Sequence, residues 1–549
     1  MDESDRRGTN ADILYVNGNI HTMDGADSVA RAVAVAGGRI LAVGDEAEVR
    51  GHAGPGTEIV DLGGRTMTPG FIDAHGHFPE SGNTRLYRVD VTSPPVGRTE
   101  SIDDVVEALR RKAERTPPGE WVVGCGYDDT LLREKRHPTR HDLDRASTEH
   151  PIWLTHVSYH LGVANGLALR RAGITAETPQ PPGGVIRIDR TDGAPDGVFE
   201  EPAAMFLVSD HIPEPTLEQD LAAIAEAARE YAGRGVTTAQ NAFSDKRMIR
   251  HFVEAAKLGR LPIRLLFLPV WEVALEISRG DFEVGLPDDG MAVLGPAKMF
   301  ADGSIQGYTG YLSRPYHVPF DGDEDYRGYP IYERDRLTAI VGELHRAGWQ
   351  IAIHGNGDAA IDDILHAYRS AQAGHARPDA RHVIVHAQMA RDDQLEAMKE
   401  LGVTPSFFSL HTYYWGDRHR DIFMGPERAA RISPARGAAD RGIRFTIHCD
   451  TPVVPMTPLL LMWAAVNRIS TGGSVIGAEQ RITPREALRA QTIDAAWQYF
   501  LDDEIGSIEP GKRADLVVLS DDPLACPPEA IRDIEVLRTV VGGRTVHAS

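Results

Sequence analysis

The sequence predicts an α/β fold: a (β/α)8 barrel of the TIM type, with a small β-sandwich built from both termini and a large insertion after the first barrel strand. Three observations lead there. Eight short apolar runs alternate with helical patterns through the middle of the chain. Short β-like segments lie at both ends, punctuated by Asn-Gly and Gly-Gly. The stretch between the first two apolar runs, from Phe78 to Gly235, is far longer than a barrel connection needs.

At the N-terminal end, Ile13 to Val16 precede Asn17-Gly18, which reads as a hairpin turn. Val33 to Val35 and Ile40 to Val43 flank Gly37-Gly38, a second one. Ala514 to Leu519 and Val536 to Val541, followed by Gly542-Gly543, look alike at the other end. Two-stranded pieces are marginal alone in water, so residues 1–66 and 500–549 are expected to join as one composite sandwich. The barrel, residues 67–499, takes its strands from Thr68 to Ala74, Val236 to Gln240, Ile263 to Val270, Ala297 to Ala301, Gln350 to His354, His382 to His386, Thr404 to Leu410 and Arg444 to Cys449. Helices are expected at Thr216 to Gly233, Arg334 to Gly348 and Asp392 to Gly402; Thr216 with Gln219 reads as a capping box. The insertion spans 80–215, carries apolar strands at Trp121 to Val123 and Ile152 to Leu154, and is expected to form a lid.

Composition narrows the class. The chain has 549 residues, 42% hydrophobic and 25% charged, ordinary for a soluble protein with a large core. Its net charge of −22 leaves no basic face for nucleic acid or an anionic membrane surface. Three dispersed cysteines without a CxxC exclude a disulfide framework and a cysteine zinc cluster, and fit a reducing compartment. MDESDRRGTN is polar and does not read as a secretory leader. The apolar run Leu459 to Val466 falls short of the roughly 20 residues that span a bilayer. The expectation is a cytoplasmic enzyme acting on a small molecule.

Histidine placement carries the chemistry. The first barrel strand runs into Asp73-Ala74-His75-Gly76-His77, and residues two apart on a strand face the same way. His75 and His77 therefore share one space at the strand's C-terminal end, where barrel active sites lie. His354 and His386 end two other strands, Asp450 follows a third, and Lys298 starts a fourth. Each alone has an ordinary structural explanation; the four histidines and Asp450, at matching ends of different strands, read as a metal site.

These residues, with the Pro69 to His77 segment, resemble the amidohydrolase superfamily. Gly197 to Ala203, Lys298 to Ser304 and His354 to Asp358 look like its amidohydrolase-3 branch. His411 to Asp417 and Ile432 to Pro434 look like the N-substituted formamide deformylase group. The resemblance covers nearly the whole chain, down to Gly506 to Leu516. It implies that His75 and His77 hold a divalent metal with Asp450, and that His354 and His386 hold a second. Lys298 stands where related enzymes carry a carboxylated lysine between two metals. A free ammonium has no lone pair, so Lys298 is carboxylated, deprotonated, or not a ligand and paired with Asp302 or another carboxylate. Zinc suits such ligands, though iron, manganese and nickel fit similar sets. The implied reaction is attack of metal-bound hydroxide on an amide carbonyl, with Asp450 as proton shuttle and His411 steadying the oxyanion.

Tyr413, Tyr414 and Trp415 are placed to line an apolar pocket for an N-substituent, or to pack against the lid. His160, Asp302, Tyr127 and Trp153 are further candidate substrate contacts. The leading reading is hydrolysis of an N-substituted formamide or related amide. A cyclic-amide hydrolase or deaminase on the same barrel is the alternative, and a non-catalytic scaffold ranks last because every expected metal position keeps a competent side chain. The resemblance also implies a homodimer.

Overall fold

A computed structural model describes residues 10–549; the polar stretch 1–9 lies outside it. The protein is α/β with parallel sheets. One parallel sheet holds Phe71–Ile72, Val236–Ser244, Arg264–Pro269 and the edge strand Ala292–Leu294. The other runs Ala297–Phe300, Ile351–Gly355, Val383–His386, Thr404–Phe407 and Thr446–Ile447. A single parallel bridge, Val270 to Lys298, links the two. Side chains from both sheets, Ala242, Leu266, Leu268, Ala352, Val383 and Val385, meet around the buried ring of Tyr499. Eight strands coincide with the eight apolar runs; Ala292–Leu294 is an addition, too short to announce itself in the sequence. The expected helices form as Leu217–Gly233, Arg334–Arg346 and Asp392–Leu401. Thr216 and Gln219 make the reciprocal capping bonds.

The first expected strand breaks in two. Thr66–Pro69 runs antiparallel to Leu516–Leu519, while Phe71–Ile72 runs parallel to the strand starting at Val236. Gly70 is the joint, and a Cβ there would run into the Thr237 side chain. The chain's two ends thus share a six-stranded sheet, ordered Arg544–Ala548, Val536–Val541, Leu516–Leu519, Thr66–Pro69, Asn19–His21, Val29–Ala30. A second sheet, Arg39–Gly44, Ala32–Ala36, Ile13–Val16, Glu58–Asp61, packs Tyr15, Val33, Val35 and Ile40 into one apolar cluster with Ile20, Met67, Leu516, Val518 and Val540. Gly37-Gly38 closes a hairpin between adjacent strands, as expected. Asn17-Gly18 does not. Asn17 adopts φ 54°, and the strands on either side of it belong to different sheets. A left-handed residue before glycine redirects the chain as well as it reverses it.

Residues between Ile72 and Val236 build their own six-stranded sheet, from Val185–Ile188 at one edge to Val89–Asp90 at the other, with two apolar clusters of its own. Among the described residues, no helix is long and apolar enough to cross a membrane.

Arg264, at the start of its strand, donates to Asp515 at 2.9 Å, and both side chains are buried. The pair ties the first parallel sheet to the terminal sheet, and Asp515 also accepts from the Gly542 N–H. Arg264→Ala leaves a buried carboxylate uncompensated. The expected loss is about 3 kcal/mol or more of unfolding free energy in urea titration; a loss below about 1 kcal/mol would show that the tie is dispensable.

Candidate metal centre and its surroundings

His75, His77, His354, His386 and Asp450 come together where the parallel strands end. His77 Nε2 lies 3.3 Å from Asp450 Oδ1 and His75 Nε2 3.5 Å from the same oxygen. His386 Nε2 is 3.9 Å from Asp450 Oδ2 and 3.2 Å from His354 Nδ1. One ligand atom each of His75, His386 and Asp450 lies within 4.8 Å of the others. Only His77 is appreciably open, its side chain 24% exposed.

The outer nitrogens explain what the inner ones can do. His75 Nδ1 donates to Gln240 Oε1 (3.2 Å), and Gln240 is turned that way because its Nε2 donates to the Ala74 carbonyl. His354 Nε2 donates to the Gly303 carbonyl (3.1 Å). His386 Nδ1 faces His448 Nε2 at 3.0 Å, and His448 Nδ1 in turn meets Ser406 Oγ. With His75 donating through Nδ1 and His354 through Nε2, their inward nitrogens are bare lone pairs, and His386 turns Nε2 toward the same space. Burial, helped by the Lys298 charge and neighbouring imidazoles, holds His75, His354 and His386 well below the ordinary histidine range, so all three are neutral. Burial works against the Asp450 carboxylate, yet His77, His448 and Lys298 outweigh it and keep its pKa lowered. Lone pairs and an anion thus face one another, and Asp450 Oδ1 has no hydrogen-bond donor. That donor set fits a divalent cation. His386 (φ 70°) and Asp450 (φ 56°) are also held in the left-handed region, which costs about 1 kcal/mol or more for a non-glycine residue.

Lys298 is buried, its Nζ without a partner, 4.7 Å from the Phe300 ring centre. Burial, opposed by Asp450, pushes its amine down to about 7. Asp302 is not its counter-ion. The Asp302 carboxylate accepts backbone N–H groups from Tyr311, Asn356 and Gly357, clamping the loops beside His354.

Two residues of the insertion enter the site. The His160 ring centre is 4.8 Å from that of His354, and His160 Nδ1 pairs with Glu201 Oε2 at 2.7 Å. Burial disfavours the imidazolium, but the Glu201 carboxylate overcomes it and raises the His160 pKa. Glu201 itself is fully buried with φ 64°. His411 sits in the short helix Leu410–Tyr414, its ring centre 6.2 Å from His386 and 4.2 Å from Phe408, with Nδ1 buried and unpartnered.

The aromatic trio divides. Tyr414 and Trp415 line a cavity of about 770 Å³ between the insertion and the loop after strand Thr404–Phe407, which also touches Val453 and Val454 just beyond Asp450. Tyr413 turns away onto Trp463, ring centres 5.7 Å apart. Tyr127 and Trp153 stay within the insertion: the Tyr127 hydroxyl meets His137 at 3.0 Å, and Trp153 packs on Phe199 in a buried cluster. Glu201, Gln240 and His448 were not singled out from the sequence. His448 had a signal, since it stands two residues before Asp450 at the same strand end. The partnership of Glu201 with His160 spans 41 residues and leaves no local trace.

Parallel strands whose ends converge on buried imidazoles and a carboxylate match the class of metal-dependent hydrolases. The sequence profile of the amidohydrolase family matches residues 58–547, and the chain belongs to that family, hydrolases of carbon–nitrogen bonds. The chain is similar to the N-substituted formamide deformylase of Arthrobacter pascens, 32% identical, with 97% of each chain covered. It is 30% identical to the protein LONG AFTER FAR-RED 3 of Arabidopsis thaliana, covering 98% of this chain and 92% of that one. Among solved structures, an uncharacterised metal-dependent hydrolase from Pyrococcus horikoshii superposes with a TM-score of 0.73 at 25% identity, covering 94% of this chain and 99% of the other.

Gly303 makes room for Glu201: a Cβ there would run into Glu201 Oε1 and the Thr309 side chain. Gly303→Ala is expected to displace the His160–Glu201 pair, lowering kcat/KM about tenfold or more, with a stability loss of about 1–3 kcal/mol. Unchanged kinetics in a correctly folded variant would remove that pair from the site.

Proposed function

We propose that the protein hydrolyses an N-substituted formamide or a closely related amide. The observation that carries the reading is the convergence of bare imidazole lone pairs and the Asp450 carboxylate in a dry pocket, beside a cavity large enough for an N-substituent. The similarity to the Arthrobacter deformylase supports the formamide class. The two parallel sheets are read as halves of one (β/α)8 barrel over residues 67–499, with 80–215 as its insertion and the two termini forming a composite sandwich.

His75, His77 and Asp450 would hold one divalent ion, zinc by ligand type, and His354 with His386 a second, and Lys298 as its carboxylate adduct would supply a further oxygen ligand. A metal there supplies Lewis acidity, which acidifies water near neutral pH and polarises a carbonyl. The chain's own groups do the rest. Asp450 is the carboxylate at the centre, and its lowered pKa keeps it ready to take a proton from the attacking water. It then delivers that proton to the leaving nitrogen. The buried, unpartnered Nδ1 of His411 is available to the developing oxyanion, in a site whose walls exclude water. Gln240, the Gly303 carbonyl and His448 hold the three buried imidazoles in orientation, and Tyr414 and Trp415 border the space for the N-substituent.

The test is elemental analysis of wild type and Lys298→Ala side by side, with hydrolysis of N-benzylformamide followed on the same samples. The expected result is near two metal equivalents in wild type, falling together with activity in the variant. One equivalent that survives the mutation would remove Lys298 from the metal centre. Asp450→Asn is expected to lower kcat about a thousandfold. Bound metal with no formamide cleavage would overturn the substrate class, and an absence of metal would overturn the mechanism.

A further inference from the structure

The cavity beside the candidate metal centre has an unusual wall. Most of the charged side chains that line it are already engaged. Asp128 Oδ2 accepts from Arg418 Nη1 (2.7 Å) and Trp415 Nε1 (3.2 Å), and Asp128 Oδ1 accepts from the backbone and hydroxyl of Thr130. Asp417 pairs with Arg420 at 3.2 Å, and Lys135 Nζ donates to the Thr130 carbonyl.

Asp129 is different. Its Oδ1 accepts from His156 Nε2 at 3.1 Å. His156 Nδ1 faces the Ser158 hydroxyl at 2.8 Å and the Ser158 N–H at 3.2 Å. Oδ2 takes no hydrogen bond among the described residues; His137 Nε2 lies 3.8 Å away, and the Arg187 charge acts on the carboxylate from farther off. His137 is held by the Tyr127 hydroxyl, and burial drives its pKa down to about 3, so it is neutral. The Asp129 side chain keeps 18% of its surface exposed and lines the cavity together with Tyr308, Tyr414 and Trp415. Tyr308 lies close enough for the Asp129 charge, added to burial, to raise its phenol to about 12. An anionic oxygen with a vacant acceptor position, set among aromatic rings, recognises an ammonium or a strong N–H donor.

We infer that Asp129 is a specificity-determining residue, and that the cavity takes amides whose N-substituent ends, away from the scissile bond, in a positively charged amine. The cavity fixes the direction: Val453 and Val454 line it on the Asp450 side and Asp129 on the insertion side. Tyr127, His137 and His156, which lie apart from the candidate metal centre, then have a task, which is to hold Asp129 in place. This inference rests on the reading of the site as an amide hydrolase.

Two measurements separate the inference from that reading. The first is calorimetric binding of 4-(aminomethyl)benzylamine and 4-methylbenzylamine to the full-length holoenzyme. These differ only in the far ammonium group and are not turned over. Wild type is expected to prefer the first about tenfold, Asp129→Asn to lose the preference, and Asp129→Glu to keep part of it. The second is kcat/KM for the corresponding two formamides, whose ratio should fall about tenfold in Asp129→Asn, mainly through KM. Equal binding of the two amines by wild type, or a preference that survives Asp129→Asn, would overturn the inference whatever the turnover. If neither formamide is cleaved but the binding preference depends on Asp129, the inference stands and the formamide reading falls.

Discussion

Everything around the candidate centre answers one electrostatic problem. Neutral imidazoles with inward lone pairs and a carboxylate are held within a few ångströms of one another, away from water. Such a set repels itself, and only a surrounding scaffold or a bound cation makes it tolerable. The scaffold is visible in the outer contacts, where Gln240, the Gly303 carbonyl and His448 each fix one ring. It is visible again in the left-handed backbone at His386 and Asp450, where local strain is accepted to aim a side chain.

The same problem gives the insertion its place. It is more than a cover, because His160 and Glu201 cross from it to stand over His354. On its other side it meets the loop after strand Thr404–Phe407 through the buried Asp128–Arg418 and Asp128–Trp415 contacts. The cavity lies in that seam. Its walls therefore come from parts of the chain with different duties: the loops after the parallel strands bring the aromatic rings, and the segment between Ile72 and Val236 brings Asp129. The lining of the cavity can then change in the insertion without disturbing the histidines on the strands.

Much of this was legible in the sequence, for identifiable reasons. The spacing of His75 and His77 is a local geometric statement, since alternate strand residues share a face. His354, His386 and Asp450 could be found because each terminates an apolar run. What the sequence leaves open is whatever depends on distant partners. Asn17-Gly18 carries the signature of a reversal, but which sheet receives the next strand is decided by Thr66 and Met67, far along the chain. Asp302 stands next to the site in sequence and is consumed by backbone donors from two other loops. Tyr413 and Tyr414 are neighbours, yet helix rotation sends one to Trp463 and the other to the cavity. Nothing in composition or periodicity distinguishes them.

The pairing of Thr66–Pro69 with Leu516–Leu519 carries a consequence for the protein's synthesis. The strand that leads directly into His75 and His77 is made about 450 residues before its antiparallel partner. At about 5–20 residues added per second, that is a wait of about 20 seconds to a minute and a half. Through that interval the HxH segment is tethered on one side only, with its apolar neighbours Met67 and Phe71 short of their final packing. That half of the candidate site therefore reaches its final packing only once the Leu516–Leu519 strand has been made.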